Sequence, residues 1–86
     1  MILDFYQATC APCRALEPRL EAVAQQHAGR IPVSRIDIER DLSIAERLGV
    51  RSIPTVLIFT NGNETERLDG LITDQQLPAA FEHTAT

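Results

Sequence analysis

Apolar and aromatic residues crowd positions 1–7, where Ile2, Leu3, Phe5 and Tyr6 surround a single acid, Asp4. This weakly alternating run predicts a buried strand. From Pro12 to Ala28 the apolar face is Leu16, Leu20, Val23, Ala24 and His27, spaced as one side of a helix, with Gly29 as its stop and Pro18 as an interior kink. Residues 32–38 alternate, Val33, Arg35 and Asp37 against Ser34, Ile36 and Ile38, and predict a second strand. Asp41 to Leu48 reads as a short helix capped by Asp41 and ended by Gly49. Thr55 to Thr60 is almost continuously apolar, as in a strand covered on both faces. Asn61-Gly62 signals a hairpin into a partner strand over 64–69. Thr73 and Gln76 form a capping box for a last helix running to about His83.

The expected order is β-α-β-α-β-β-α. Helical crossovers between the first three strands predict that these run parallel, with the hairpin strand antiparallel. With no repeats and no linker, residues 1–86 form one α/β domain. Its net charge of −4 argues against nucleic-acid and anionic-membrane partners. No apolar run has transmembrane length, and no basic-then-apolar segment precedes the first strand, so a cytoplasmic location is expected. All eight basic residues are Arg, which has no functional explanation here.

Cys10 and Cys13 are the only cysteines, and they fall where the first strand gives way to the first helix. Cys10 then sits at a helix N-terminus, where free N–H groups and the helix dipole favour a thiolate. Cys13 lies one turn on, within reach of a mixed disulfide at Cys10. Two other readings stand beside dithiol–disulfide exchange. A structural bridge over four residues would remove only about 2 kcal/mol of unfolded-chain entropy. A zinc or cluster site needs further ligands, yet His27 lies fourteen residues beyond Cys13, roughly 21 Å along the helix. Such a site would have to be shared between two chains.

Cys10-Ala11-Pro12-Cys13-Arg14 at the first strand–helix junction resembles the active site of the thioredoxin family. Ile53-Pro54-Thr55 ahead of the third strand, Asp4-Phe5-Tyr6, Pro18 and Gly70 resemble further family positions, and together they span nearly the whole chain. The resemblance implies a thioredoxin-like fold, a four-stranded mixed sheet with helices on both faces. It also implies a protein-disulfide oxidoreductase in which Cys10 attacks and Cys13 resolves. Asp4 would be a buried carboxylate behind Cys13 that relays its proton. Arg35 matches the family's partner lysine and would oppose a rise in the Asp4 pKa if it reaches that residue; otherwise it is a solvated strand residue. Ile53–Pro54 would be a cis bond that brings backbone beside Cys10 for an extended substrate peptide. Thr9, Ala11, Pro12, Arg51, Ser52, Asp69, Gly70 and Leu71 would line the same shallow groove.

Three departures qualify this picture. Ala11 stands where the family usually has Gly. Thr9 replaces the usual Trp, which implies a narrower range of clients. The chain also starts without the family's extra N-terminal strand and helix, so residues 32–38 should form an exposed sheet edge suited to weak self-association of an otherwise monomeric protein. The expected partners are protein disulfides and a thioredoxin-reductase-type electron donor. The exchange itself calls for no cofactor and no metal. The rival functions are a non-catalytic thioredoxin-like adaptor and a metal- or iron–sulfur-binding dimer built on the Cys pair. Phe5, Tyr6, Phe59 and Phe81 are assigned to the core, His27 to the helix end and His83 to solvent.

Overall fold

The computed structural model describes residues 1–85. The elements follow the expected order: β1 (Ile2–Tyr6), α1 (Ala11–Gln26), β2 (Val33–Asp37), α2 (Leu42–Arg47), β3 (Thr55–Thr60), β4 (Asn63–Asp69) and α3 (Gln76–Ala85). They build one four-stranded mixed sheet in the order β2-β1-β3-β4. The alternation of side chains along β1 and β3 divides the core. Ile2, Val56 and Ile58 point to one face, where Leu16, Leu20 and Val23 of α1 and Leu77, Ala80 and Phe81 of α3 cover them. Leu3, Phe5 and Leu57 point to the other, under Ile44 and Ala45 of α2 and Leu48 at its C-cap. β3 is therefore covered on both faces, as its unbroken apolar run requires.

The direction of β3 differs from the expected one. β1 and β2 are parallel, with Asp4 opposite Arg35. β3 runs antiparallel to β1, with Ile2 opposite Ile58 and Phe5 opposite Thr55. The reason is length. A parallel crossover must return the chain along the full strand, about 17 Å for five residues. The six residues of α2 rise only about 9 Å. The chain instead passes over the end of β1 and starts β3 at the end of the sheet where β1 and β2 finish. β4 pairs antiparallel to β3 through Asn61 and Gly62, at φ 53° and 83°, the conformation of a two-residue hairpin turn. A bulge at Ile58/Phe59 lets Thr65 slip out of the ladder and donate its hydroxyl to the Ile58 carbonyl.

The helix ends differ in detail from expectation. α1 stops at Gln26 with His27 as its C-cap, and both Ala28 and Gly29 take positive φ beyond it. Asp41 precedes α2 but makes no side-chain capping bond, which corrects its assigned role. Its backbone carbonyl instead accepts from the Ile44 N–H. The other end of α2 is capped from β4, where Arg67 donates to the Leu48 and Gly49 carbonyls. The Thr73/Gln76 capping box is present in both directions, at 2.8 and 3.2 Å. β2 is a sheet edge, and its Ser34 and Arg35 are exposed. Among the described residues no helix is long and apolar enough to cross a membrane.

Candidate active site

The antiparallel course of β3 assembles the site. β1 ends at Tyr6 and leads through Gln7, Ala8 and Thr9 to Cys10, while β3 begins beside that same end with Pro54-Thr55. A parallel β3 would have put Pro54 at the far end of the sheet. Asp69 pairs with Thr55, so Gly70 emerges from β4 at this end too. Three chain segments distant in sequence thus converge on the N-terminus of α1.

Cys10 is the N-cap of α1, with extended backbone (φ −85°, ψ 107°), and its Sγ accepts the Cys13 N–H at 3.2 Å. A sulfur here occupies the position of a capping oxygen and meets an N–H that has no partner within the helix. Pro12 lies in the first turn, where its missing N–H is no loss. Cys10 and Cys13 are joined by a disulfide, with Cα atoms 5.2 Å apart, so the structure is that of the oxidised protein. The two sulfurs are inequivalent. Cys10 is half-buried among exposed Thr9, Ala11 and Pro12, whereas Cys13 is only 1% exposed.

The Ile53–Pro54 peptide bond is cis. Thr55, itself buried, ties this turn down by donating its hydroxyl to the Ser52 carbonyl at 2.6 Å. The expected groove residues divide between two concavities. Pro12, Pro54 and Gly70 line one of about 170 Å³ together with Leu16, Arg19 and Leu71. Arg51, Ser52 and Ile53 line another of about 270 Å³ with Gln7, Ile38, Leu42 and Val50, on the α2 side. Thr9, Ala11 and Asp69 border neither. Leu71, 91% exposed, is the most solvent-exposed large apolar side chain beside the first groove. Sequence reasoning missed Arg19, which donates to the Ile72 carbonyl at 2.6 Å and pairs with Asp74 at 2.7 Å, fixing the segment after Gly70 against α1.

Asp4 is 1% exposed on the face of β1 that α1 covers. Arg35 does reach it, Nε to Oδ2 at 3.4 Å, long for a charge-assisted bond. Asp4 Oδ1 is buried without a hydrogen-bond partner. Burial therefore dominates and holds the Asp4 carboxyl above the usual carboxylate value; the charge and hydrogen bond of Arg35 pull it down without reversing the rise, and Glu17 adds to it. Glu17 was also missed from sequence. It stands four residues after Cys13 in α1, a spacing that places it on the same helix face.

This raised pKa predicts a pH-dependent stability. The folded state binds the Asp4 proton more tightly than the unfolded chain, so the contribution of this proton is complete below the unfolded pKa and is lost as pH rises through the folded one. Burial disfavours the charged form in the fold, so Asp4→Asn, which carries no charge, is expected to stabilise the oxidised protein wherever the wild-type carboxyl is ionised. The gain comes from removing the buried charge, since the amide still leaves one polar atom at the Oδ1 position without a partner. Arg35 does not become an orphan in the variant, because it is one-third exposed and keeps Glu17. Urea midpoints should show the gain near pH 7 and its shrinkage in acid. A variant less stable than the wild type at neutral pH would contradict this.

Among the described residues no group of three or more His, Cys, Asp and Glu side chains is placed to hold a metal ion. His27 sits at the opposite end of α1 from Cys10, its Nδ1 3.1 Å from the Val23 carbonyl and its ring stacked on Phe81. His83 is mostly exposed, with its Nδ1 3.2 Å from Glu66.

A dithiol pair at the head of α1, under a mixed sheet with a cis-proline turn beside it, defines the dithiol–disulfide class of α/β proteins. Comparison with known proteins narrows this further. The family model described as Thioredoxin matches residues 1–83. Thioredoxin 1 of Nostoc sp. is 32% identical over 82 residues, covering 95% of this chain and 77% of that protein. The chloroplastic thioredoxin Y of Oryza sativa subsp. japonica is 36% identical over 82 residues, covering 95% of this chain and 49% of that protein. A mutant thioredoxin from Halobacterium salinarum NRC-1 superposes with a TM-score of 0.86 at 31% identity, over 99% of this chain and 74% of that one. The chain belongs to the thioredoxin family, and it is a thiol–disulfide oxidoreductase carrying the Cys10/Cys13 pair.

Proposed function

We propose that Cys10 is the nucleophile of the exchange and Cys13 the resolving thiol. In the reduced protein the Cys10 thiolate attacks a substrate disulfide, forms a mixed disulfide and releases one substrate thiol. Cys13 then attacks Cys10 Sγ, the Cys10–Cys13 bond forms, and the second substrate thiol leaves. Two electrons and two protons pass from the pair to the substrate. Asp4 accepts the proton of Cys13 during the second attack. The Ile53–Pro54 turn and the groove of Pro12, Pro54 and Gly70 dock the substrate backbone, Thr9 and Ala11 contact it beside Cys10, and Arg51 and Ser52 extend the contact toward the α2 side. The substrates are protein disulfides, the pair is recharged by a thioredoxin-reductase-type donor, and the protein works in the cytoplasm. No cofactor enters the exchange.

The observation that supports this division of roles is the asymmetry of the two sulfurs. The half-buried Cys10 accepts the N–H that would stabilise its thiolate, while Cys13 is shielded. Iodoacetamide labelling of the reduced protein across a pH series, with site mapping, is expected to modify Cys10 first and Cys13 slowly. Faster labelling of Cys13 at neutral pH would reverse the assignment.

A further inference from the structure

Arg35 has more to do than neutralise Asp4. Its guanidinium lies over the Tyr6 ring, 4.0 Å from the centroid, and divides its N–H groups between two acids. Nε points to Asp4 Oδ2 at 3.4 Å, and Nη1 pairs with Glu17 Oε1 at the shorter distance of 3.2 Å. The two carboxylates come from different elements, β1 and α1, and differ in setting: Asp4 is buried, whereas the Glu17 side chain is 38% exposed. A guanidinium can engage one carboxylate through two parallel N–H groups. Here it engages Asp4 through Nε alone, and Asp4 Oδ1 is left buried with no donor.

We propose that Glu17 is a positioning residue for the resolving half of the exchange: by holding the Nη1 arm of Arg35 it keeps this cation shared, so that Asp4 retains one oxygen open to a proton. The proposal rests on the reading that Asp4 receives the Cys13 proton. In that step Cys13 Sγ attacks Cys10 Sγ, the bond from Cys10 to the client sulfur breaks, the Cys13 proton passes to Asp4 Oδ1, and the client thiolate leaves. Glu17 touches none of the reacting atoms. Without its charge the guanidinium is free to close on Asp4, and the repulsion between the two carboxylates is lost. Both effects favour the ionised form of Asp4, in line with the upward influence of Glu17 on this group. The charged groups facing Asp4 are Arg35 from β2 and Glu17 from α1. β3 presents Val56 as its pairing partner, and the buried face of α3 is Leu77, Ala80 and Phe81.

The test has two readouts. The first is the titration of the Asp4 carboxyl carbon by NMR in the reduced protein. The second is single-turnover reduction of a peptide disulfide, in which formation and decay of the mixed disulfide appear as separate phases. In Glu17→Gln the Asp4 titration is expected to move to lower pH, and the pH limb of the decay phase to move with it, while the formation phase is unchanged. Glu17→Asp, which keeps the charge, should restore part of the shift. Glu21→Gln, one turn further along α1 and exposed, should move neither readout. An Asp4 titration unmoved by Glu17→Gln would overturn the proposal. If the titration moves but the decay limb does not, and Asp4→Asn also decays at the wild-type rate, the proton role of Asp4 fails and the resolving role of Glu17 fails with it.

Discussion

Cys10→Ser is expected to bring disulfide turnover down to the rate of the dithiothreitol background, with the fold intact. Cys10 is the half-buried sulfur at the head of α1, and it accepts the Cys13 N–H. A serine keeps that capping geometry and supplies an oxygen of the type helix N-caps favour. It cannot form the mixed disulfide. The remaining thiol, Cys13, is 1% exposed beneath the first turn and cannot stand in for it. Loss of the disulfide frees a loop of only four residues, a change of about 2 kcal/mol at most in the loop model. Activity and stability are therefore expected to separate. Turnover of a disulfide substrate and urea unfolding, measured on the same preparation, check both halves. Retained turnover in Cys10→Ser would mean that the nucleophile has been misplaced.

Phe81→Ala should do the reverse. Phe81 is completely buried, joins α3 to Ile2, Val56 and Ile58 of the sheet and to Leu16 and Leu20 of α1, and stacks on His27. Truncating a buried Phe costs about 3–5 kcal/mol, because the removed ring leaves a cavity that its neighbours fill only in part. Small domains have about 5–15 kcal/mol in all, so the variant should lose a large part of its stability. His27, which Phe81 stacks on, caps the end of α1 remote from Cys10, so activity per folded molecule should survive at low temperature. Phe59→Ala, at a half-buried position on the other face, should cost less. Urea midpoints order the two, and a Phe81→Ala midpoint near that of the wild type would contradict the packing described.

The elements were legible where local chemistry alone decides them. The continuous apolar run of β3, the Asn61-Gly62 turn and the Thr73/Gln76 box all stand where the sequence places them. The direction of β3 was not legible from the β-α-β-α-β order. That order suggests parallel crossovers, and only the shortness of α2 reveals that the chain cannot return along the sheet. The site followed the same division. Cys10 and Cys13 stood out by residue type and Asp4 by its apolar surroundings, whereas Pro54 came from the family resemblance; the structure places Asp4 in the core and the Ile53–Pro54 bond in the cis form. Glu17 and Arg19 were missed because a charged residue on a helix reads as a solvated face until its partner on another element is known. Arg51 and Ser52 were assigned to the groove of Pro54, but the chain turns at Ile53, and they face the concavity beside α2.

The central claim is that one sulfur attacks and the other resolves, and trapping tests it most directly. Cys13→Ser leaves the first attack intact and removes the second. Incubated with a lysate, this variant should accumulate covalent adducts that dithiothreitol releases, each linked through Cys10 when the junction is mapped by mass spectrometry. Cys10→Ser should trap far less. With Thr9 in place of an aromatic platform the adducts should be few, and Thr9→Trp should increase their number. Adducts mapped to Cys13 in Cys10→Ser at equal or greater yield, or no adducts from Cys13→Ser, would contradict the account.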